Sequence, residues 1–246
     1  EVNDLALAFN TMADSLEQSE QRRQEFIANV SHELKTPMTT IGGYVDGILD
    51  GTISKDNEKH YLQIVSSEVR RLSRLVRSML DLSRLQAQGI DESRKTRFDL
   101  GDVMSDVLIT FEQKINARGL QVSVDLPEKP VWTKADRDAI TQVVYNLLDN
   151  AIKFCPVGGN LGLILEQDGQ KARLRIRNTG QTIPPEELPL LFDRFHKADK
   201  ARSADREGWG LGLYIAKTII GAHGGEIWAT SENGVTEFTF TLPAVR

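Results

Sequence analysis

The chain has 246 residues, of which 40% are apolar and 26% are charged, and its formal net charge is −5. This apolar fraction supports a packed core and excludes a disordered chain, and the length favours two compact units. The 35 acidic against 30 basic residues argue against nucleic acid as a main partner, and the single cysteine, Cys155, excludes an internal disulfide and a cysteine-based zinc cluster.

The first part of the chain, residues 1–88, predicts long helices because it contains one proline and few turn signals. Two apolar stripes at helical spacing flank a break at residues 50–54: Ile27, Val30, Leu34, Pro37, Ile41, Tyr44 and Ile48, then Leu62, Val65, Val69, Leu72, Val76 and Met79. Two such helices predict an antiparallel hairpin. Because it holds more apolar surface than one hairpin can bury, we expect a dimeric four-helix bundle. Packing of the hairpin on the rest of the chain is the alternative.

A shorter helix precedes the hairpin and is marked by four apolar residues, Leu5, Phe9, Met12 and Leu16. The nine residues that follow, 17–25, are all polar. A helix that is polar on every side has weak packing support. This segment is compatible with a solvated spacer or with a transmission joint, and the sequence does not distinguish them.

From about residue 96 the pattern changes to short strands and helices. Residues 173–177 and 237–242 alternate with a period of two, as half-buried strands do. Helical patterns lie near 101–118, 137–154 and 211–222, and residues 89–96 form a short polar linker. Helices on one face of a mixed or antiparallel sheet, an α/β sandwich, fit this order. The predicted fold class is α+β multidomain.

His32 lies in the segment Ser31–Pro37 and points away from the apolar stripe of its helix. A surface histidine usually has no function, but its neighbours suggest chemistry. Glu33 is placed to orient the imidazole or take its proton, and Thr36, one turn on, offers a hydroxyl for a water. Pro37 removes a backbone hydrogen bond, and the glycines at 42–43 soften the same helix.

A second group of polar residues follows one flank of the helical pattern at 137–154. Asn146, Asn150 and Lys153 align beside the apolar stripe, with Asp149 nearby. Amide oxygens suit a hard cation such as Mg²⁺, and a neighbouring lysine suits phosphate. Solvated asparagines on a helix flank are the plain alternative.

Glycine-rich segments form the third group, at 178–184 and at 208–213, where Gly208, Gly210 and Gly212 precede a helix. Backbone N–H groups at a helix start can meet an anion. Between them, residues 193–207 form a basic loop that contains Arg194 and Lys197 and has few apolar anchors. A mobile lid over phosphates and a merely solvated loop both fit.

Taken in order, these segments resemble the cytoplasmic core of a two-component sensor histidine kinase. Six segments are similar to the boxes of that family: the phospho-acceptor box at 31–37, the N box at 146–154, the first glycine box at 178–184, the F box at 192–195, the second glycine box at 208–213 and the final one at 223–225. Residues 1–16 are similar to the end of a HAMP signalling module. Such modules follow a transmembrane helix, although this chain has no apolar run of the roughly 20 residues needed to cross a bilayer.

The resemblance implies a site for ATP and Mg²⁺. By resemblance, Asn150 holds Mg²⁺, Asn146 and Lys153 contact phosphates, and Phe154 lies by the base. The site is completed by the first glycine box, with Asn178 and Gly180, and by the lid and second glycine box at 193–212. The cofactor-binding residues so implied are Asn146, Asn150, Lys153, Phe154, Asn178, Gly180, Arg194, Lys197, Gly208, Gly210, Leu211 and Gly212.

The resemblance also implies the reaction. The γ-phosphoryl group of ATP passes to a nitrogen of His32 with Glu33 as proton acceptor, and then to an aspartate on the receiver domain of a response regulator. Thr36 positions water for dephosphorylation of that regulator. The alternative function is a nucleotide-binding conformational scaffold with weak kinase activity, acting mainly as a phosphatase. An ATPase of the same superfamily that works independently of His32 is a third possibility.

The chain departs from the family pattern at three places. Asn178 stands where the first glycine box usually begins with Asp, and Thr182 occupies its second glycine position. In the second glycine box, Trp209 replaces a small residue. The segment 233–236 is shortened. We expect these changes to weaken nucleotide binding without removing a phosphate or metal ligand.

The resemblance implies three domains: the end of a HAMP-like helix at 1–18, a dimerisation and histidine-phosphotransfer hairpin at 19–90, and a catalytic ATP-binding domain at 96–246. The implied protein is a phosphoprotein that works as a homodimer. Its parent would be a sensor in the cell (inner) membrane, of which this chain is the cytoplasmic portion, so that contact with the membrane comes only through segments upstream.

Overall fold

The computed structural model describes residues 2–88, 91–196 and 209–245. The chain divides into two units, Glu1–Arg77 and Ser78–Arg246. A pair of long helices comes first and a domain of helices and β-sheet follows, which confirms the predicted fold class. Within the described ranges, no helix combines the length and the apolar character needed to cross a membrane.

Two helices form the first unit: α1 spans Val2–Leu49, and α2 spans Lys55–Gln88 and continues into the second unit. The turn between them is closed by two hydrogen bonds, from Ile53 N–H to the Gly47 carbonyl (2.7 Å) and from Thr52 N–H to Asp50 Oδ1 (2.9 Å). Gly51 has a φ of 78°, which glycine adopts without strain. The predicted hairpin connection is thus a tight turn with its own hydrogen bonds.

The polar segment 17–25 is part of α1, which runs through it without interruption. Glu20 lies 3.6 Å from Arg23 and accepts a hydrogen bond from Gln24 at 3.5 Å. Pairs at these spacings stabilise an exposed helix by about 0.2–0.5 kcal/mol each. The predicted short helix and the predicted hairpin helix are therefore one helix joined by a polar stretch.

Four hydroxyl groups around His32 and Pro37 bond back to the helix backbone. Each donates to the carbonyl four residues earlier, at 2.8–3.3 Å: Ser31 to Ile27, Thr36 to His32, Thr39 to Lys35 and Thr40 to Thr36. Such bonds tend to bend a helix, and Pro37 supplies no N–H of its own. These features weaken the helix around His32.

The second unit contains a five-stranded mixed sheet in the order β2-β4-β5-β7-β6 and a separate antiparallel pair of β1 and β3. Its strands are β1 Lys95–Asp99, β2 Gln121–Asp125, β3 Trp132–Asp136, β4 Asn160–Asp168, β5 Lys171–Thr179, β6 Ile227–Glu232 and β7 Val235–Pro243. Its helices are α3 Leu100–Thr110, α4 Glu112–Ala117, α5 Arg137–Phe154 and α6 Gly212–Ala222, with short 3₁₀ turns at Glu92–Arg94 and Pro189–Phe192.

The core of this unit lies between the sheet and helix α5. Alternate residues of β4 and β5 are buried, and so is the apolar stripe of α5: Ile140, Val143, Val144, Leu147, Leu148, Ala151 and Ile152. Helices α3 and α6 both pack against α5. This packing fixes which flank of α5 faces away from the sheet.

Two features differ from the sequence prediction. The segment predicted as a linker at 89–96 contains a 3₁₀ turn and the start of β1, because Phe98 supplies the buried side chain of a strand otherwise built of polar residues. The helix predicted at 101–118 is two helices, since the chain turns at Phe111 and places its ring against Tyr145 with the centroids 4.8 Å apart.

Three distant segments meet where α5 begins. Asp136 caps the helix through Oδ1, which accepts from the N–H groups of Asp138 and Ala139, and its Oδ2 lies 3.2 Å from Arg94. The backbone N–H of Asp136 donates to Nε2 of the buried His223 at 3.0 Å. His223 therefore accepts at Nε2 and donates from Nδ1 to the Ile219 carbonyl (2.8 Å), as a neutral imidazole does.

Replacing Gly42 or Gly43 with alanine should stabilise α1 by about 1 kcal/mol each, because alanine has the higher helix propensity and an added Cβ meets no atom within 4 Å. Hydrogen exchange of the α1 amides should slow in both variants. Gly47→Ala is the matched control, since its Cβ would lie 3.2 Å from Ile53 Cδ1 and should bring no such gain. Unchanged exchange in the first two variants would contradict the prediction.

The fold should lose stability in acid through His223. Burial lowers the pKa of His223, and Lys95 lowers it further, against the opposing effects of the Ile219 hydrogen bond and of Asp136 and Glu92. A group with a lowered folded pKa contributes stability above its unfolded pKa, about 6.5, and that contribution is lost as the pH falls from there through the folded pKa.

The unfolding temperature of the wild type should therefore drop between pH 8 and pH 5.5 by more than that of His223→Gln. His60→Gln, which changes an exposed histidine, should follow the wild type. Parallel curves for the wild type and His223→Gln would refute this source of acid sensitivity.

Candidate functional site

Helix α5 and the start of α6 are joined by a side chain from the predicted site. Nδ2 of Asn146 donates to the carbonyl oxygen of Gly212 at 3.1 Å, and a Cβ at position 212 would meet the Asn146 side chain at 3.6 Å. Asn150, one turn further along α5, is half-buried on the same flank. The structure thus brings Asn146 of α5 to the second glycine segment.

The second glycine segment is closely packed where α6 begins. Gly210 has a φ of 68°, and a Cβ there would lie 2.7 Å from the carbonyl oxygen of His196. Phe195 donates its N–H to the Gly210 carbonyl at 3.0 Å. Leu211, which precedes α6, is 2% exposed. Only glycine satisfies both the backbone conformation and the close approach at position 210.

Of the three other predicted residues in the loop and the second glycine segment, the structure describes one, Arg194. Arg194 donates to the hydroxyl of Tyr214 at 2.6 Å, and its guanidinium lies 4.7 Å from that ring centroid. Arg194 is therefore bonded to α6 in this structure. Lys197 and Gly208 lie outside the described residues.

A cleft of about 510 Å³ opens at the end of the sheet beyond the C-terminus of α5. Its lining combines the end of α5, the end of β5 and the turn between β6 and β7: Arg118, Lys153, Phe154, Cys155, Pro156, Thr179, Gly180, Gln181 and Gly234. Three of the predicted site residues, Lys153, Phe154 and Gly180, belong to this lining. A cleft of this size accommodates a small organic ligand.

The lining offers an aromatic face, a cation and a closely approached backbone. Lys153 Nζ lies 5.4 Å from the ring centroid of Phe154, a residue that is 36% exposed. A Cβ at Gly180 would lie 3.0 Å from the Phe154 carbonyl oxygen. This combination suits a flat ligand with an anionic group, because the ring can stack and the lysine can pair with negative charge.

The turn between β6 and β7 is hydrogen-bonded to the first glycine segment. Gly180 donates its N–H to the Gly234 carbonyl at 2.8 Å, and Gly234 donates its own N–H to Thr182 Oγ1 at 2.9 Å. Asn233 and Gly234 both have positive φ, 51° and 76°, as in the tightest hairpin turns. Thr182 therefore holds this short turn.

Arg118 is a residue of the cleft that the sequence analysis missed. Its guanidinium donates to the Cys155 carbonyl at 2.6 Å, from 37 residues earlier in the chain, and its carbonyl accepts from Gly158 N–H at 2.9 Å. Its Nε is buried and makes no hydrogen bond within the described part of the chain. No local signal marks Arg118, because its place in the cleft depends on β2 lying beside β4.

Asn178 occupies the inner face at the end of β5 and is 3% exposed. Its Nδ2 donates to the Thr179 carbonyl at 3.0 Å. Trp209, another departure from the family pattern, is 8% exposed and is thus packed into the domain.

His32 lies in the first unit, exposed on α1, with Glu33 half-buried beside it. Thr36 donates its hydroxyl proton to the His32 carbonyl at 3.3 Å. The hydroxyl oxygen of Thr36 keeps its lone pairs, so it can still accept a hydrogen bond from a water.

The second unit can bind a divalent cation only together with a bound ligand that supplies further oxygen atoms. In the described ranges no three His, Cys, Asp or Glu side chains are grouped so that they could hold a metal ion. Asn150 offers one amide oxygen, a ligand type that Mg²⁺ accepts alongside phosphate oxygens and water. The residues present therefore fit Mg²⁺ bound together with a phosphorylated ligand.

Two family models match the chain. Residues 22–88 match the His Kinase A (phospho-acceptor) domain. Residues 135–246 match the histidine kinase-, DNA gyrase B-, and HSP90-like ATPase. The first range contains His32, and the second contains α5 and both glycine segments.

Individual relatives agree with these matches. Sensor protein SrrB of Staphylococcus aureus (strain MRSA252) is 38% identical over 226 residues, which cover 91% of this chain and 38% of SrrB. The structure of the histidine kinase AdeS of Acinetobacter baumannii is 30% identical, with a TM-score of 0.72 over 87% of this chain and 98% of that one. The histidine kinase ThkA in complex with the response regulator protein TrrA is 27% identical, with a TM-score of 0.73 over 94% and 66%.

Gly180→Ala should destabilise the second unit by about 1–3 kcal/mol, because the new Cβ would press on the Phe154 carbonyl at 3.0 Å. Thermal unfolding should show a lower midpoint, and amide signals of Phe154 and Gly234 should shift. Gly221→Ala is the control: in α6 its Cβ meets nothing within 4 Å, so stability should hold or rise. An unchanged midpoint for Gly180→Ala would contradict the close approach.

Proposed function

Since the chain belongs to the sensor histidine kinases of two-component systems, we propose that it transfers the γ-phosphoryl group of ATP to His32. The chain spans about 38% of the length of the SrrB proteins that it matches, so this activity and its partners are proposals for the whole protein. The observation that carries the proposal is the presence, in one chain, of an exposed histidine in a phospho-acceptor helix and a cleft in an ATPase-type domain.

His32 is the proposed acceptor because its imidazole is exposed on α1. In the transfer, the bond between the γ-phosphorus and its bridging oxygen breaks, a bond from an imidazole nitrogen to phosphorus forms, and ADP leaves. Glu33 takes the proton from that nitrogen. Positioning and neutralisation of charge supply most of the rate in such reactions.

The proposed nucleotide site combines α5, the first glycine segment and the start of α6. Phe154 packs against the base, beside Gly180 and Asn178, while Lys153 and Asn146 contact phosphates. Mg²⁺, held by Asn150 and phosphate oxygens, would neutralise charge on the transferred group. The proposed lid and its base consist of Arg194, Lys197, Gly208, Gly210, Leu211 and Gly212.

A second copy of the chain is the proposed partner of the hairpin. Several residues of the predicted apolar stripes remain exposed in a single hairpin, among them Ile27 at 52%, Leu62 at 51% and Val69 at 46%. Covering such side chains contributes about 25 cal/mol per Å². A dimeric four-helix bundle buries them, which supports the homodimer.

A receiver domain of a response regulator is the proposed second partner. ThkA has been solved in complex with a response regulator protein, and by analogy phosphorylated His32 passes its phosphoryl group to an aspartate of such a domain. We also propose that the kinase dephosphorylates its regulator, with the hydroxyl of Thr36 positioning the water.

The domain limits are proposed as the end of a HAMP-like helix at 1–18, a dimerisation and phosphotransfer hairpin at 19–90 and a catalytic domain at 96–246. A membrane-anchored sensor is the proposed parent, with this chain on the cytoplasmic side. The similarity of residues 1–16 to a HAMP module supports this arrangement.

Incubation with γ-labelled ATP and Mg²⁺ should place acid-labile label on the wild type. The label should be absent from His32→Ala, which lacks the nucleophile, and reduced to near background in Asn150→Ala, which lacks the amide ligand of Mg²⁺. His60→Ala is the matched control, because His60 is also exposed on a helix of the hairpin, and it should be labelled like the wild type.

Measurable ATP binding without label on His32 would instead favour the conformational scaffold that acts mainly as a phosphatase. Steady ATP turnover in His32→Ala would favour an ATPase. Circular dichroism of each variant establishes that the fold is retained.

A further inference from the structure

Strand β2 leaves one edge of the five-stranded sheet open. It is the terminal strand in the order β2-β4-β5-β7-β6, and all of its residues, Gln121–Asp125, are exposed. At the opposite edge, Ile183 donates its N–H to Ser231 Oγ of β6 at 2.9 Å, so another segment of the chain contacts that strand. An open edge is a template for pairing with a further strand. In this sheet, β2 is the strand that offers it.

The backbone groups at the open edge belong to Val122 and Val124. Gln121 donates its N–H to the Gly159 carbonyl at 2.9 Å, which lies on the β4 side. Consecutive residues of a strand direct their N–H and C=O groups to opposite edges, so Ser123 also faces β4 and the two valines face outward. Within the described part of the chain, neither valine makes a backbone hydrogen bond outside the sheet ladder. Their N–H and C=O groups are therefore available to a partner strand.

The side chains of the same two valines form an uncovered apolar strip on the core face of the sheet. Val122 pairs with Leu161, and Val124 pairs with Leu163, in the β2–β4 register. Directly paired residues point to the same face of a sheet. Both leucines are fully buried, whereas the valines are 40% and 45% exposed. The core therefore stops one strand short of the edge, and a further strand would cover these side chains.

The sequence of β2 is complementary to itself when two copies run antiparallel about Ser123. Val122 of one copy then lies opposite Val124 of the other, so that apolar side chains meet on the core face. These two residues also exchange both of their N–H···O=C bonds, because both face outward. Gln121 lies opposite Asp125, where an amide N–H can donate to the carboxylate and no like charges meet. This register pairs the strand over its whole length.

We propose that β2 is an interface between two copies of this chain, which pair antiparallel about Ser123 and continue the sheet from one second unit into the other. The contact is isologous, because each copy supplies the same strand. It is separate from the proposed pairing of the hairpins, and it does not depend on the proposed phosphotransfer.

Disulfide trapping in the full chain tests this register. In the pair, the two copies of Ser123 form a non-hydrogen-bonded pair with a Cα separation of about 4.5 Å, which a disulfide spans. The two copies of Gln121 lie about 13 Å apart along the strands. Under mild oxidation, Ser123→Cys should therefore form a disulfide-linked dimer at least about tenfold faster than the control Gln121→Cys. Equal rates for the two variants would overturn the proposal.

The wild type is a second control, because its single cysteine, Cys155, is buried and should form no linked dimer. Adding Val124→Lys to Ser123→Cys should slow the cross-link to the rate of Gln121→Cys, since a charge then faces the apolar strip of the other copy. Val235→Lys is the matched control, because Val235 is also a half-exposed valine, on β7, and it should leave the cross-link unchanged. Unchanged cross-linking with Val124→Lys would overturn the proposal.

Hydrogen exchange tests the interface without any added cysteine. The Val122 amide should exchange at least about tenfold faster in Val124→Lys than in the wild type, because its N–H is protected by the partner strand. The Ser123 amide, which faces β4, should exchange equally in both. Equal exchange of the Val122 amide would overturn the proposal, even where a cysteine variant fails to fold. Labelling of His32 tests the proposed function separately.

Discussion

The packing of α5 against the sheet is the contact on which the second unit depends. Full burial of one aliphatic side chain contributes about 1.5–3 kcal/mol, and α5 buries a whole stripe of them. This burial fixes the rotation of the helix about its axis. The core therefore determines where Asn146, Asn150 and Lys153 lie on the flank of α5.

Both ends of α5 are tied to remote parts of the chain. At the start, Asp136 meets Arg94 and His223, and at the end Arg118 bonds to the Cys155 carbonyl. Helix α1 has the opposite character, because hydroxyl back-bonds, Pro37 and two glycines with open surroundings lie along it. For the proposed phosphoryl transfer, a rigid holder for one reactant and a deformable carrier for the other would be suitable, because only one of the two then has to move.

Sequence patterns predict the parts of this fold that are periodic. The hairpin, the strands at 173–177 and 237–242 and the helix at 137–154 all follow from spacing, because each buries one face. The β1–β3 pair escapes prediction, since Phe98 is the single large apolar residue in β1. Of the candidate site, the family boxes predict the residues of α5 and the glycine segments. Arg118 needs the register of β2 against β4, which no local pattern contains.

Two departures from the family pattern are one structural feature. The segment 233–236 is short, and Thr182 replaces a glycine, but the Thr182 hydroxyl accepts the N–H of Gly234 and so anchors the short turn. The two positions should therefore be exchanged together when chimaeras are built from related kinases. A graft that lengthens the turn and keeps Thr182 leaves that hydroxyl without its donor, and one that restores the glycine with the short turn releases the segment that carries Gly180.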